Sequence, residues 1–241
     1  MERAPPRIFD RNAVAAKFGR AEDRRATGGA TYLAAMMAED VAERLDFMQF
    51  APKDALVVGD TAHVLPASTR ADLGRLDEER PVASGPHDLY IHLLGLGMVN
   101  DLPGALIHAR AALTQGGLFI AAFPGAGSLP ALRRIALAAD DDRPAARVHP
   151  QVDNRAGTAL LERAGFARQV VDSYPLKVRF SSLDQLVSDL RDHGLTGSLA
   201  NTPPPFTRTG LQRARAEFDA MREEDGKVTE TFDILVLTGW R

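Results

Sequence analysis

The sequence predicts an α/β protein with a mostly parallel sheet, and three short apolar runs carry that prediction. They span residues 55–58, 88–94 and 118–123. The runs are nearly continuous in apolar residues, as is typical of strands buried on both faces of a parallel sheet. Helical patterns separate the later runs, so we expect parallel neighbours joined by right-handed crossovers.

The helices are predicted from apolar periodicity and from end signals. Apolar residues recur at helical spacing from about residue 30 to 50, and Pro52 ends this first helix. Asp101 is suited to cap a helix that Gly116-Gly117 is expected to close, and Ser182 is suited to cap another. Further helices are predicted near residues 129–139, 156–164 and 211–221.

The last part of the sheet is expected to change direction. A strand is predicted to start at residues 169–172, after the helix that ends at Gly165. The segment 228–240 alternates and is rich in β-branched residues, which is typical of a strand. We expect this last strand to lie antiparallel beside the strand that contains Val170.

Composition limits the classes of function. A net charge of -3 over 241 residues gives no electrostatic reason to expect nucleic acid as a partner, and the absence of cysteine excludes disulfides and thiolate chemistry. No apolar run approaches the roughly 20 residues of a membrane span, and the start of the chain lacks the apolar core of a signal peptide. We therefore expect a cytoplasmic protein, and four lysines against 25 arginines indicate a GC-rich bacterial source.

The N-terminal region has several arginines with acidic residues between them. This mixture predicts a solvated face rather than a targeting or lipid-binding segment. The arginines are Arg3, Arg7, Arg11, Arg20, Arg24 and Arg25.

Four motifs, in order along the chain, carry a family likeness. They are IFDR at 8–11, VNDLPGAL at 99–106, LLERAGF at 160–166 and GW at 239–240. Together they resemble the class I S-adenosylmethionine (SAM) methyltransferases. The similarity is greatest to the branch of complex I assembly factor 5 and its bacterial relatives, with the biotin-pathway malonyl-carrier-protein methyltransferase as a more distant cousin. The likeness covers nearly the whole chain except residues 60–87.

The resemblance implies a Rossmann-like methyltransferase fold. Its mostly parallel sheet would have seven strands, unless shortened here, with an antiparallel last strand, and SAM would bind beyond the carboxyl ends of the first strands, where doubly wound sheets hold ligands. We expect residues 1–50 to form a helical segment packed on a methyltransferase-like domain over 51–241. The family also implies a protein as partner or substrate, in the assembly of a respiratory complex.

The expected cofactor loop departs from the family pattern. Members end the first strand in an acidic residue and continue with Gly-x-Gly-x-Gly, because the backbone must approach SAM without intervening side chains. Here Val57 stands at the acidic position and Gly59 keeps the first glycine. Thr61 and His63 replace the other two, and each puts a side chain where the cofactor would lie. SAM is thus the implied cofactor, and its loss is the alternative.

The segment after this loop is short. Only 29 positions separate Gly59 from Asp88, although a strand-helix-strand unit alone needs about 30 residues. We expect at least one helix or strand to be truncated or missing. Asp72 is the first candidate for the acid that holds the ribose hydroxyls, and Asp77 is the reserve. The predicted cofactor-binding set is Gly59, Asp60, Thr61, Asp72 and Leu94.

The sequence assigns no catalytic group, and the two weak candidates are Asn100 and His149. Residues 95–98 (GLGM) stand where the family places polar and aromatic residues that end in a His-Trp-like pair. Asn100 precedes Asp101, for which the capping role is favoured over substrate contact. His149 falls where the family forms a substrate-side loop and is a possible general base, although a structural histidine is favoured.

Other polar residues near the expected site are given structural interpretations first. His63 is interpreted as a surface histidine and His92 as a buried strand residue with a satisfied ring nitrogen. Gly125, Gly127 and Ser128 either line the substrate cleft or only shape the turn into the next helix. No His/Asp/Glu spacing predicts a metal site, and no nucleophile and base pair is recognised.

Two functions stay open at this point. The first is SAM-dependent methyl transfer, which proceeds largely by alignment of the reactants and does not require a general base. The second is a non-catalytic scaffold or assembly factor that has kept the fold. A nicotinamide dehydrogenase is the least favoured class, because no G-x-G-x-x-G follows a predicted strand.

Overall fold

The computed structural model describes residues 7–141 and 143–241. The predicted helices and strands follow in the expected order, whereas the helix Arg11–Ala26 and the strand Thr69–Ala71 were not predicted. The helices are α1 (Arg11–Ala26), α2 (Tyr32–Phe47), α3 (Leu102–Ala111), α4 (Pro130–Asp140), α5 (Asn154–Arg163), α6 (Leu183–Asp192) and α7 (Arg208–Ala220). The strands are β1 (Ala55–Val58), β2 (Thr69–Ala71), β3 (His87–Leu93), β4 (Leu113–Pro124), β5 (Ala167–Phe180) and β6 (Val228–Trp240). A single 3-10 turn, Gly95–Met98, follows β3.

The strands form one sheet in the order β2-β1-β3-β4-β6-β5. The neighbours among β1, β2, β3 and β4 pair in parallel, whereas β6 is antiparallel to both β4 and β5. The predicted α/β class, the mostly parallel sheet and the antiparallel last strand are confirmed. The described residues form six strands and not seven, so the sheet is the shortened version.

The shortening lies between β1 and β3, within the segment from Gly59 to Asp88 whose residue count predicts it, and the connection over residues 72–86 contains no helix. The connection over residues 59–68 contains no helix. Its chain is held by the buried carboxylate of Asp60, which accepts hydrogen bonds from the backbone N–H groups of Val64 (3.3 Å) and Leu65 (2.9 Å). Arg70 of β2 donates to the same carboxylate at 2.7 Å. A charged side chain therefore organises a turn where the family has a helix.

One predicted helix boundary is wrong. Helix α3 ends at Ala111, and Gly116-Gly117 lies within β4 instead of closing the helix. The register explains why: His87 pairs with Leu113, but Leu89 pairs with Leu118, so the intervening residues of β4 bulge out of the ladder. The glycines belong to this bulge.

Of the two N-terminal helices, α2 packs on the sheet and α1 packs on α6. Helix α2 is deeply buried along one side through Leu33, Met37 and Val41, none of which is exposed. Helix α1 buries Val14, Phe18 and Ala21. The division of the chain at residue 50 stays a prediction. Among the described residues, no helix has the length and apolar character needed to cross a membrane.

The expectation of a purely solvated arginine face needs correction. Arg11 donates to Glu78 at 2.8 Å, Arg24 pairs with the buried carboxylate of Asp192, and Arg25 donates to the backbone oxygen of Asp192 at 2.7 Å. The acceptors lie 67 or more positions away along the chain, so no local pattern reveals them. Arg3 lies outside the described residues.

Candidate functional site

Two cavities lie at the edge of the sheet where the parallel strands end. The loop cavity, of about 400 Å³, lies among α1, the loop after β1 and the end of β2. The apolar cavity, of about 240 Å³, lies beyond β3 and β4 and is closed by the segments around residues 147–151 and 195–203. Carboxyl ends of parallel strands are where doubly wound folds bind ligands, so both cavities are candidate sites.

The loop cavity brings together most of the predicted cofactor-binding residues. Gly59, Asp60, Thr61 and Asp72 all line it. Asp72 directly follows β2, at the position expected of the acid that holds the ribose. Its carboxylate is 58% exposed and forms an ion pair with Arg75 at 3.2 Å.

The reserve candidate and the loop histidine are placed differently. Asp77 does not line the loop cavity, and it forms ion pairs with Arg11 (2.9 Å) and Arg80 (3.1 Å). His63 is exposed at the cavity rim, as a surface histidine is expected to be. Val57, which stands where the family has an acidic residue, is buried in β1.

Leu73 occupies the space between the loop after β1 and the turn after β3. A Cβ atom added at Gly59 would lie 3.2 Å from both Cγ and Cδ2 of Leu73. A Cβ atom added at Gly95 would lie 2.9 Å from the same Cδ2. Leu73 is only 7% exposed, so its side chain is packed between the two glycines and does not project into solvent. Leu73 was not predicted from the sequence, where its only signal is an apolar side chain directly after the candidate ribose acid.

Leu73 lies at the edge of the sheet where the family resemblance places SAM. SAM would lie across the carboxyl ends of the first strands, and Leu73 fills the gap between Gly59 and Gly95 there. The loop cavity has both polar and apolar lining residues. The hydroxyl oxygen of Thr61, one of the lining residues, is buried and has no partner among the described residues.

A buried ionic chain holds the segment after β2 against α1. His92 Nε2 lies 3.2 Å from Glu78 Oε1, and Arg11 donates to Glu78 Oε2 at 2.8 Å. Burial alone would raise the pKa of Glu78, but the hydrogen bonds of His92 and Arg11 hold that pKa at about 2. A Cβ atom at Gly74 would stand 2.8 Å from Cα of Ala15, so the segment and the helix touch closely.

One of the two ring nitrogens of His92 has a partner, as the sequence interpretation expects. The residue is buried in β3, and Nε2 has its partner in Glu78. Nδ1 is also buried but lacks a partner within the described ranges.

Asn100 uses its side chain to hold the N-terminal segment. Its Oδ1 accepts from the backbone N–H groups of Ile8 (2.9 Å) and Phe9 (2.8 Å), and its Nδ2 donates to the Phe9 carbonyl at 3.1 Å. Asp101 accepts from Gly104 N at 3.0 Å, which confirms its capping role. The motifs at 8–11 and 99–106 therefore meet in space, and this contact gives Asn100 a structural task.

His149 and Leu94 both line the apolar cavity. Leu94 is thus separated from the other predicted cofactor-binding residues, which line the loop cavity. The His149 ring packs edge-on against Phe9, with ring centroids 5.1 Å apart. Burial, together with the charge of Arg133, lowers the pKa of His149 to about 4, so its ring is neutral near pH 7.

The turn after β4 packs on β6. Ser128 Oγ donates to the Asp233 carbonyl (3.1 Å) and accepts from Asp233 N (2.9 Å). A Cβ atom at Gly125 would lie 3.0 Å from Leu235 Cβ, and one at Gly127 would lie 2.8 Å from the Asp233 carboxylate. None of these turn residues lines the apolar cavity, so they shape the turn into α4.

No further constellation of reactive groups emerges at the two cavities. Over residues 7–141 and 143–241, three or more His, Asp or Glu side chains nowhere converge as a metal site would need. The absence of a metal site and the catalytic roles of Asn100 and His149 stay predictions.

Comparison with known sequences gives a consistent group of relatives, although no family model matches the chain. It is 29% identical over 217 residues to the mitochondrial arginine-hydroxylase NDUFAF5 of Danio rerio, covering 88% of this chain and 66% of that protein. The human protein of the same name is 32% identical over 170 residues, with 68% and 49% covered. The malonyl-[acyl-carrier protein] O-methyltransferase of Laribacter hongkongensis is 28% identical over 177 residues, with 73% and 57% covered. The chain thus spans about half to two thirds of these relatives' length.

Solved structures give the same fold at low sequence identity. A putative methyltransferase from Bacillus halodurans matches with a TM-score of 0.51 at 11% identity, covering 84% of this chain and 98% of that one. The [4+2]-cyclase SpnF matches with a TM-score of 0.51 at 12% identity, covering 99% and 98%. At this level of identity the likeness establishes the fold alone.

Proposed function

We propose that this chain, which belongs to the class I SAM-dependent methyltransferase superfamily in the branch of complex I assembly factor 5 and its bacterial relatives, acts by binding and not by methyl transfer. It is a methyltransferase-like protein. The observation that carries the proposal is the Leu73 side chain, packed between Gly59 and Gly95 where SAM would have to pass.

Three further features support the loss of SAM. Thr61 and His63 stand at two of the three glycine positions of the family loop. The carboxylate of Asp60 is occupied by two backbone N–H groups and by Arg70. The chain after Leu73 is fixed under α1 by the pair of Glu78 and Arg11, so opening the gap would require breaking a buried ionic contact.

The test is the response of folded stability to SAM. A ligand at 100 times its dissociation constant would add about 2.7 kcal/mol to the free energy of unfolding. We expect no change in melting temperature at millimolar SAM for the unsubstituted chain. A clear upward shift that saturates would contradict the proposal.

Two leucine variants test whether Leu73 is the residue that prevents SAM from binding. Leu73→Ala opens the gap and is expected to respond to SAM more strongly than the unsubstituted chain. Leu65→Ala removes a similarly buried leucine of the same region that does not lie between the glycines, so it is the matched control. Both variants lose about 2–5 kcal/mol of stability, but only Leu73→Ala is expected to gain a SAM response. Equal responses would remove Leu73 as the cause.

A second candidate function is methyl transfer from SAM bound in an altered pose. It is favoured by Asp72, which directly follows β2 and lines the 400 Å³ loop cavity beside Gly59. Incubation with methyl-labelled SAM and a lysate of the native host distinguishes the two functions. Label transfer that disappears in Asp72→Ala would support methyl transfer.

The partner in our proposal is a protein. Two relatives are named arginine-hydroxylase, and arginine is a residue of proteins. The family branch is that of an assembly factor, which also supports a protein as the partner. Affinity capture from the native host is expected to recover a reproducible protein, and recovery of none would count against the scaffold. The cytoplasmic location stays a prediction.

A further inference from the structure

A serine, a histidine and an aspartate form a hydrogen-bonded chain at the edge of the sheet where the parallel strands begin. Ser84 Oγ lies 3.2 Å from His87 Nε2, and His87 Nδ1 lies 3.0 Å from Asp54 Oδ1. A nucleophile within hydrogen-bond reach of a base, which is itself oriented by a third group, is the arrangement of nucleophilic catalysis. None of the three residues lines the two cavities at the opposite edge of the sheet.

The hydrogen bonds determine which nitrogen of His87 carries the proton. An ionised carboxylate only accepts hydrogen bonds, so Nδ1 must donate to Asp54. In the neutral ring Nε2 is then an acceptor, and it receives the hydroxyl hydrogen of Ser84. This is the tautomer in which a histidine removes a proton from a serine.

The sheet holds the histidine and the aspartate in place. His87 is the first residue of β3 and is 2% exposed, and Asp54 directly precedes β1. The Asp88 carboxylate accepts from the backbone N–H groups of Lys53 (2.7 Å) and Asp54 (3.0 Å), and the Asp54 carbonyl accepts from Asp88 N at 2.9 Å. Groups that strands position keep their geometry better than groups on loops. The contact between Asp54 and Nδ1 therefore follows from the pairing of β1 with β3.

Gly85 brings the serine back over the histidine ring. Its φ of +122° lies in the region that favours glycine, and an added Cβ would lie 3.3 Å from His87 Cδ2 and 3.1 Å from the Ala112 carbonyl oxygen. Ser84 is exposed, whereas the histidine behind it is covered. A leaving oxygen bonded to the carbon that Oγ attacks would lie beside Nε2, because Oγ itself does.

Ser84 lines an open cavity of about 460 Å³. Part of the lining is apolar: Pro81, Val82, Pro86 and Ala111. Within the described ranges, no carboxylate side chain lines it, so an ester is not repelled as an anion near carboxylates would be. Arg241 also lines the cavity, and its Nη1 donates to the backbone oxygens of Ala111 and Leu113. Its other guanidinium N–H groups and the N–H of Gly85 are the donors available to a developing oxyanion.

We propose that Ser84 and His87, with Asp54 as the positioning residue, hydrolyse small carboxylic esters. Ser84 Oγ forms a bond to the ester carbonyl carbon while its proton passes to His87 Nε2. The bond from that carbon to the alcohol oxygen breaks, and the alcohol leaves with the proton from Nε2. Water then attacks the acyl group on Ser84, giving up a proton to Nε2, and the acid leaves as the proton returns to Oγ. This activity goes beyond the proposed binding function and does not depend on whether SAM binds.

The test uses p-nitrophenyl acetate, whose hydrolysis releases a coloured alcohol. The unsubstituted chain is expected to release p-nitrophenol faster than buffer does and to carry an acetyl group on Ser84 when the reaction is quenched with acid. Trypsin releases a peptide over residues 76–110 in which Ser84 is the single serine, so fragmentation in the mass spectrometer locates the acetyl group. A covalent acyl-enzyme is the fingerprint of nucleophilic catalysis.

Variants of the serine and the histidine assign the activity. Ser84→Ala and His87→Gln are expected to lower the rate of p-nitrophenol release at least about 100-fold, the lower value for a positioned general base. Ser181→Ala and His63→Gln change exposed residues of the same types and are the controls, with rates expected within about twofold. Because Ser84 is exposed, its variant decides even if His87→Gln does not fold. The proposal is overturned if Ser84 carries no acetyl group, if Ser84→Ala keeps the rate, or if the controls lose as much.

Asp54→Asn tests the positioning role separately from stability. An amide is able to donate to Nδ1, which favours the wrong tautomer of His87. Since the Asp54 carboxylate is 52% exposed, the expected fall in kcat is at least about tenfold and smaller than the roughly 10⁴-fold known for a buried aspartate. KM and the free energy of unfolding are expected to stay unchanged, and Asp54→Glu to recover part of kcat. An unchanged kcat in Asp54→Asn would exclude Asp54 from the site.

Discussion

At the scale of single residues, buried polar side chains in this protein fix the ends of its elements. The Glu230 side chain is fully buried and caps the start of α4, because its two oxygens accept from the backbone N–H groups of Ala131 (3.2 Å) and Leu132 (2.8 Å). These are orphan donors of the first helical turn, which a carboxylate satisfies well.

We expect Glu230→Ala to lower the free energy of unfolding by about 1–3 kcal/mol, because it leaves the buried donors unpaired. Urea denaturation measures this value. Glu224→Ala changes an exposed glutamate and is the control, with an expected effect within about 0.5 kcal/mol. Equal effects of the two substitutions would show that the cap contributes nothing.

His149 makes stability depend on pH in a defined direction. Burial lowers its pKa from 6.5 to about 4 in the folded state. Between these values the unfolded chain binds more protons at this residue than the folded chain does, so its contribution to stability is complete above pH 6.5 and is lost as the pH falls toward 4.

We expect the free energy of unfolding to fall less steeply over this range in His149→Gln than in the unsubstituted chain. Urea denaturation across the pH range gives the two slopes. Identical slopes would mean that the His149 ring titrates in the folded protein as it does in the unfolded chain.

At the scale of elements, α1 is held through close contacts with distant parts of the chain. Gly194, after α6, faces Phe18 of α1: an added Cβ would lie 2.6 Å from Phe18 Cδ1. Gly194 also has a φ of +74°, in the left-handed region that favours glycine. Packing and backbone conformation both require glycine at this position.

Gly226 provides a control that separates these two requirements. Its φ of +75° is nearly the same, but nothing lies within 4 Å of an added Cβ. We expect Gly226→Ala to cost about 1–2 kcal/mol through backbone strain, and Gly194→Ala to cost about 1–3 kcal/mol more because Phe18 must move. Thermal unfolding of the pair measures the difference. Equal costs would exclude the contact between α1 and Gly194 as a source of stability.

The elements that sequence reasoning found are those with local causes. The bounds of β6 follow from the alternation of its residues. Asp101 and Ser182 could be predicted as caps because their side chains accept hydrogen bonds from backbone N–H groups three residues later. The bulge at Gly116-Gly117 was missed because it depends on how β4 pairs with β3. The sequence pattern does not show which residues of β4 pair with which residues of β3.

At the scale of the whole molecule, only part of the candidate site could be predicted from the sequence. The erosion of the loop follows from the motif. Asp72 was only the first of two candidates in the sequence, and its place directly after β2 is seen in the fold. The packing of Leu73 between Gly59 and Gly95 does not follow from the motif, because it joins the ends of two strands through a segment that resembles no family pattern. Asn100 likewise acquires its role only when the fold brings Ile8 and Phe9 to it.

The family fold thus persists here with two separated cavities at the edge where a single extended cofactor would lie. Gly59 and Asp72 line the loop cavity, and Leu94 and His149 line the apolar cavity. In our proposal, Leu73 at the loop-cavity side prevents SAM from spanning the first strands. Binding at either cavity is therefore expected to be independent of the family's cofactor.

The most direct measurement is a crystal structure of the unsubstituted chain grown with millimolar S-adenosylhomocysteine, the demethylated product of SAM. We expect the Leu73 side chain to remain between Gly59 and Gly95, with no ligand across the ends of β1 and β3. Density for the whole ligand in that gap, with Leu73 displaced and Asp72 on the ribose hydroxyls, would contradict the account.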